Sequence, residues 1–456
     1  MKQQALDYAH QHKAQNLADL VELLKIPCIS TDPQHKADIA AGAQWVADTC
    51  RRIGLNNVEI MPTRLHPVVY ADWLQADAPF TLLIYGHYDV QPVDPIDLWH
   101  TPPFEPTVKG DDIFARGASD DKGQFFTVLK AVEAYLQGAG KLPINVKVLI
   151  EGEEEIGSPS IQDFLTQHRE KFAADAIVIC DHPMLAPEVP MMMYAVRGDA
   201  HIEVTVRGPA HDLHSGTFGG VVENPFNVLV RMLAQLQDPV THRILVPGFY
   251  DTVRPIAEAE TAMIVGNPFV SDAILQAATG ALQTTGEEGY STAERMSVRP
   301  TLEIHGMPGG FTGNGTKTVI PSIARAKIST RLVPDQDPYH VRELVADYLR
   351  KIAPPGVEVS VQFHGASYPV VVDYTLPAYQ AANRAYQEVY GREAVMMRGG
   401  GSLPIMHYFK TILNVPIVMM GLGLPDDNLH APNEKFHLPN FYRGIETMIH
   451  YFAFLA

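Results

Sequence analysis

The sequence predicts an α/β protein whose mostly parallel, helix-covered sheet forms the main domain, interrupted by a ferredoxin-like βαββαβ unit. Three observations carry this. β-rich runs at residues 80–85, 144–150 and 176–180 alternate with helical runs at 124–136 and 160–167. Acids or a histidine follow each apolar run, at the strand ends where the loops of a parallel sheet converge over a crevice. After Arg197 and Gly198 the rhythm changes to two-residue periodicity.

Taken in order, the chain opens with apolar residues at helical spacing over 16–25 and 37–52, the first run stopping ahead of Pro27. The strand and helix alternation that follows implies parallel pairing, because each crossover helix carries the chain back to the end of the sheet where the previous strand began. Residues 201–207 then alternate like a half-buried antiparallel strand, 227–236 reads as a helix and 301–305 as a strand. Residues 323–333 alternate again, 339–351 is helical and 357–363 is a strand, with a long insertion near 238–300. Alternation resumes near Asp373, with a buried-looking strand at 415–420 and a final helix around 442–452. The expected division is a main domain in two parts, 1–197 and 367–456, around an inserted domain at 198–366.

Composition narrows the function classes. A chain of 456 residues is too long for one ordinary core, so about two to three domains are expected. With 46% hydrophobic and 19% charged residues it has the make-up of a folded globular protein. A formal charge of −17 leaves no basic footprint for nucleic acid or an anionic membrane. Cys28, Cys50 and Cys180 are odd in number and lack CxxC spacing, which suggests neither a disulfide framework nor a zinc knuckle. Residues 1–13 hold no apolar signal core, and no run of about 18 apolar residues occurs, so a cytoplasmic protein is expected.

The chemistry concentrates in three stretches, Gly86-His87-Tyr88-Asp89, Ser119-Asp120-Asp121-Lys122-Gly123 and Glu151-Gly152-Glu153-Glu154-Glu155. Asp89 is close enough in sequence to His87 to orient its imidazole, as a carboxylate commonly does for a metal-bound histidine. Helix capping accounts for one of Asp120 and Asp121, but not for both. Three adjacent glutamates at the mouth of a buried strand repel one another unless a cation or proton compensates. Asp181 ends the third run, with His182 as its rival, and His430 follows residues 415–420 and a Gly-rich turn. Two histidines with several carboxylates suit a borderline divalent metal, zinc above all.

In these segments the chain resembles the dizinc peptidases that include carnosinase, cytosolic non-specific dipeptidase, acetylornithine deacetylase, succinyl-diaminopimelate desuccinylase and carboxypeptidase G. The likeness covers nearly the whole chain. It is strongest to the dipeptidase branch, through residues 85–92, 116–123, Asp212-Leu213-His214-Ser215-Gly216 and Thr318-Val319-Ile320-Pro321. The resemblance implies two zinc ions per subunit, with manganese or cobalt as substitutes, bridged by Asp120. One ion would take His87 and Asp181, the other Glu155 and His430, with Asp89 in support. Glu154 would be the general base for a hydroxide shared by the ions. It further implies that residues 198–366 form a lid and dimerisation domain, and that His214 stabilises the oxyanion in the partner's site of a homodimer. Arg331 would anchor a substrate carboxylate, and Thr318 and Ser402 would contact substrate.

The implied activity is hydrolysis of the amide bond of a small peptide, of dipeptidase or carboxypeptidase type. N-acyl amino acid hydrolysis is the alternative, because two positions depart from the dipeptidase pattern. Gly399 stands where an acid usually follows the arginine, and Leu376 where a substrate-binding histidine is common. Two other classes fit poorly. The Gly-rich run 306–315 is not a phosphate loop, since Thr316 separates the last glycine from Lys317. A non-enzymatic binding protein on this plan would be expected to lack a ligand or the base, and none is missing.

Overall fold

The apolar runs become neighbouring strands. In the computed structural model, which describes residues 1–456, Thr81–His87 lies between Asn145–Glu151 and Ala176–Ile179, and Ile417–Met420 pairs with the latter, all in parallel. These four strands are buried almost throughout, as expected of a sheet covered on both faces. Their register sets His87 beside Glu151 and Tyr85 beside Ile179, so the carboxyl ends finish at one level. Everything that leaves those ends, including Asp89, the 153–155 turn and Asp181, emerges along one rim.

The sheet as a whole is mixed. Val68–Trp73 pairs antiparallel with Asn145–Glu151, Asn56–Met61 lies outside it, and Met191–Val196 pairs antiparallel with Ile417–Met420. The parallel part is therefore the central four strands. The helix Lys122–Ala139 runs buried from Lys122 to Tyr135 and packs against Lys2–Gln11 and Leu438–Leu455. Gly140, at φ 75°, ends it in the left-handed conformation that glycine adopts without a Cβ penalty.

The chain divides into two compact units. The first comprises Met1–Tyr194, Val372–Met397 and Tyr408–Ala456, the second Ala195–Val371 and Arg398–His407. In the second, an antiparallel sheet runs Thr301–Gly306, Ile323–Leu332, Gly198–Arg207, Glu358–Ser367. With helices Pro225–Leu233 and Pro338–Ile352 against its strands, this is the βαββαβ arrangement. Strict alternation of burial along Gly198–Arg207 explains why its periodicity was visible in sequence. Asp337 caps the second helix by accepting the Tyr339 and His340 N–H groups, and Pro338 occupies the first helical position. No helix of either unit is long and apolar enough to cross a membrane.

Candidate metal centre

All seven residues read as metal ligands, base or ligand support belong to the first unit. His87 ends its strand fully buried, with Nδ1 3.0 Å from the Asp89 carbonyl and 3.4 Å from Asp89 Oδ1. That contact fixes Nδ1 as the protonated nitrogen and turns Nε2 toward acids. Nε2 is 3.2 Å from Asp120 Oδ1 and 3.9 Å from Asp181 Oδ2. The other Asp120 oxygen, Oδ2, is 2.9 Å from His430 Nε2, which is also 3.4 Å from Glu155 Oε2. Two ligand groups result, His87 with Asp120 and Asp181, and Asp120 with Glu155 and His430, each with its ligand atoms within 4.8 Å of one another. Asp120 is common to both.

Asp89 has a second task. Its Oδ1 and Oδ2 accept the backbone N–H groups of Glu154 and Glu155 at 3.2 and 3.1 Å, tying the glutamate turn to the His87 loop. Glu155 Oε2 also accepts from Gln91 Nε2 at 2.8 Å. Glu153, by contrast, faces away: it accepts from Thr63 Oγ1, His66 N and Ser160 N and so is structural. His182 is turned to the Pro183 carbonyl at 2.9 Å, which leaves Asp181 as the ligand candidate of that pair.

The donor set fits divalent metal. His87 Nε2 is buried without a hydrogen-bond partner, an arrangement that costs free energy unless something else occupies its lone pair. Acids outnumber imidazoles around it. Burial pushes the Glu154 carboxyl up to about 7, assisted by the charges of Asp120 and Asp89, and pushes Asp181 well above the ordinary carboxylate range. Cations held between these groups would relieve that crowding of like charge.

The four remaining candidates lie in the second unit. His214 ends a short strand paired with Val319–Ile320, is exposed, and accepts the Gly216 N–H on Nδ1 at 3.0 Å. Thr318 is exposed beside it, its carbonyl accepting from Ser215 N at 3.1 Å. Arg331 and Ser402 meet directly, Nη1 donating to Oγ at 2.9 Å.

A sequence model of Peptidase family M20/M25/M40 matches residues 83–453. The chain belongs to this family. Among its M20 relatives, the Cys-Gly metallodipeptidase dug1 of Schizosaccharomyces pombe is 32% identical over 96% of this chain and 94% of its own length. Beta-Ala-His dipeptidase of Homo sapiens is 32% identical over 100% of this chain and 92% of its own. The structure of Sso-CP2, an M20 family metallo-carboxypeptidase from Sulfolobus solfataricus, matches with a TM-score of 0.87 and 35% identity over 96% of this chain and 99% of that one. The protein is thus an M20 metallopeptidase, a hydrolase with an α/β catalytic unit.

Strand-end reasoning missed the residues that hold the loop carrying Asp120. Fully buried Glu434 accepts the N–H groups of Ser119 and Asp120 on Oε1, both at 3.0 Å, and Gly117 N–H on Oε2 at 2.9 Å. Arg116 Nη1 completes it at 2.7 Å. Asp427 accepts the Ser119 hydroxyl at 2.8 Å from the same 427–434 segment that carries His430. His430 itself sits at φ 58°, rare for a residue with a side chain and frequent at functional positions. Asp427 and Asn428 precede His430 in the sequence, but only the fold reveals which backbone they and Glu434 serve.

Proposed function

We propose that this M20 peptidase is a cytosolic dipeptidase working as a homodimer with two divalent ions per chain, zinc in first place. The observation that carries the reading is the Asp120 carboxylate, whose two oxygens face different histidines, Oδ1 at 3.2 Å from His87 and Oδ2 at 2.9 Å from His430. His87, Asp120 and Asp181 would hold one ion, and Asp120, Glu155 and His430 the other. When bound, such ions supply Lewis acidity toward the scissile carbonyl and lower the pKa of water.

The remaining steps fall to side chains. Glu154 takes the proton of the attacking water and delivers it to the leaving nitrogen, as a carboxylate beside both ligand groups is placed to do. Asp89 keeps Glu154 in place through its backbone N–H and holds the His87 tautomer. Arg331, with Ser402 beside it, receives the C-terminal carboxylate of the substrate, for which a planar guanidinium is the natural partner. Thr318 contacts the substrate, and His214 of a second copy donates to the oxyanion. Residues 198–366 serve as the lid and dimerisation domain. The buried thiols of Cys28, Cys50 and Cys180 agree with a reducing compartment.

N-acyl amino acid hydrolysis is the second reading. Gly399 favours it, because no carboxylate follows Arg398 to hold a free amine. A hydrolysis panel on zinc- and manganese-loaded protein decides between them. Faster cleavage of free dipeptides is expected; cleavage of N-acyl amino acids with dipeptides untouched would replace the dipeptidase reading by the deacylase one.

A further inference from the structure

Arg197 is a half-buried guanidinium of the second unit with no carboxylate in ion-pair range. Its backbone N–H donates to Gly401 O at 3.0 Å and its Nε to Gly400 O at 2.9 Å. These bonds pin the glycine loop whose next residue, Ser402, accepts from Arg331 Nη1. The two cations are therefore brought to one loop. Of the five side-chain N–H donors, only the one on Nε is engaged.

Acid compensation around the pair is thin. Arg331 Nη1 is a loose 3.5 Å from Asp199 Oδ2, and Asp199 is shared with the Ser367 hydroxyl at 2.8 Å and His201 Nε2 at 3.5 Å. Burial and then the charge of Arg331 pull Arg197 down to about 10, opposed by Glu303 without an ion pair. A partly buried guanidinium held on the same loop as a second one is costly unless an anion completes it. The wall here is glycine: a Cβ on Gly400 would stand 3.2 Å from Arg197 Nη2, so a side chain at that position would crowd the open end of the guanidinium.

We propose that Arg197 and Arg331 form a two-guanidinium anion site that selects dipeptides whose C-terminal residue carries an acidic side chain. The proposal rests on the reading of Arg331 as the carboxylate anchor. Arg331 takes the α-carboxylate and Arg197 the side-chain carboxylate, each through a planar fork that a lysine does not offer. With a neutral C-terminal residue, Arg197 stays without its anion.

The test compares kcat/KM for alanyl-aspartate and alanyl-asparagine, which differ in charge and little in shape, on the zinc-loaded protein. A preference of about tenfold for the acidic dipeptide is expected, the size of one charge-assisted hydrogen bond. In Arg197→Gln that ratio should fall to near one, mostly through KM for alanyl-aspartate. Equal rates on both substrates in the unaltered protein overturn the proposal. So does an unchanged ratio in Arg197→Gln with both substrates slowed alike, which makes Arg197 a loop anchor only. Should Arg197→Gln fail to fold, competition decides: succinate must inhibit more strongly than acetate, and equal inhibition overturns the proposal. Arg331→Gln tests the underlying reading separately, since it should raise KM for both dipeptides, and unchanged KM for both would remove the anchor role whatever the Arg197 ratio.

Discussion

Glu434 holds Asp120 by its backbone: Oε1 accepts the Asp120 N–H at 3.0 Å, four residues beyond His430, the imidazole that Asp120 Oδ2 meets at 2.9 Å. One short segment thus presents a candidate ligand and clamps the loop of the carboxylate shared by both candidate ligand groups. Glu434→Gln replaces an oxygen that faces backbone donors with an NH₂ group, so the 117–120 loop loses part of its support. Metal affinity is expected to fall about 10–100-fold, the usual range for groups that orient ligands. Dialysis against graded chelator with metal analysis measures it, and wild-type retention would show that the clamp is dispensable.

Glu154→Gln tests a different property. The amide keeps the size of the side chain but cannot take a proton, while both ligand groups remain complete. Bound metal should be unchanged and kcat lower by about 10²–10⁴. A variant that turns over at the wild-type rate would assign the proton to another group.

Gly86→Ala probes how tightly the His87 strand is set against the buried helix. A Cβ at Gly86 would run into Phe125 Cβ and lie 2.8 Å from Asp121 Oδ2, the atom that accepts the His87 N–H. Overpacking of this kind is expected to cost about 1–3 kcal/mol and to weaken metal retention with it. A denaturant midpoint equal to that of the unaltered protein would mean that strand and helix separate freely.

How much of this was legible beforehand follows from locality. His87, Glu154, Glu155 and Asp181 announce themselves because each follows a run of buried residues within a few positions. Glu434 does not, since the backbone it holds lies more than 300 residues away, at a separation of 314 for Asp120. Strands were visible where burial alternates, as in Gly198–Arg207, or is continuous in a parallel strand, as in Ala176–Ile179, but the equally buried antiparallel strands Val68–Trp73 and Met191–Val196 were not read from sequence. Asn56–Met61 was not visible either, because an exposed edge strand carries neither pattern. The grouping of residues 398–407 with the second unit also has no local mark, arising from contacts such as Arg197 with Gly400 and Gly401.

The acid limb of stability should depend on Asp19. Lys130, almost fully buried, is held 2.5 Å from Asp19 Oδ2 and 2.7 Å from Glu133 Oε2. Burial works to raise the Asp19 carboxyl, but hydrogen bonds from Lys130 and Gln15 outweigh it and hold it below the usual carboxylate range. Its contribution is therefore present above the unfolded value of about 3.9 and is lost as pH falls through the lower folded one. Asp19→Asn should cost roughly 1–3 kcal/mol at pH 7, where Lys130 loses a charged partner. The gap from the unaltered protein should close below about pH 4. Urea midpoints across pH check this, and a gap independent of pH would assign the loss to packing.

His214 offers the test of assembly. Its imidazole is exposed and its Nδ1 accepts the Gly216 N–H, which places the ring proton on Nε2, free to donate outward. If that donor completes the site of a second copy, His214→Ala should lose rate while remaining dimeric and metal-loaded. Mixed with Glu154→Gln, it should regain activity, because the hybrid dimer contains one site with both an intact base and an intact donor. Random exchange of subunits would restore about a quarter of wild-type activity. Size-exclusion chromatography establishes the dimer and hydrolysis after mixing measures the recovery. A dimer that exchanges subunits without recovering activity would confine His214 to its own chain.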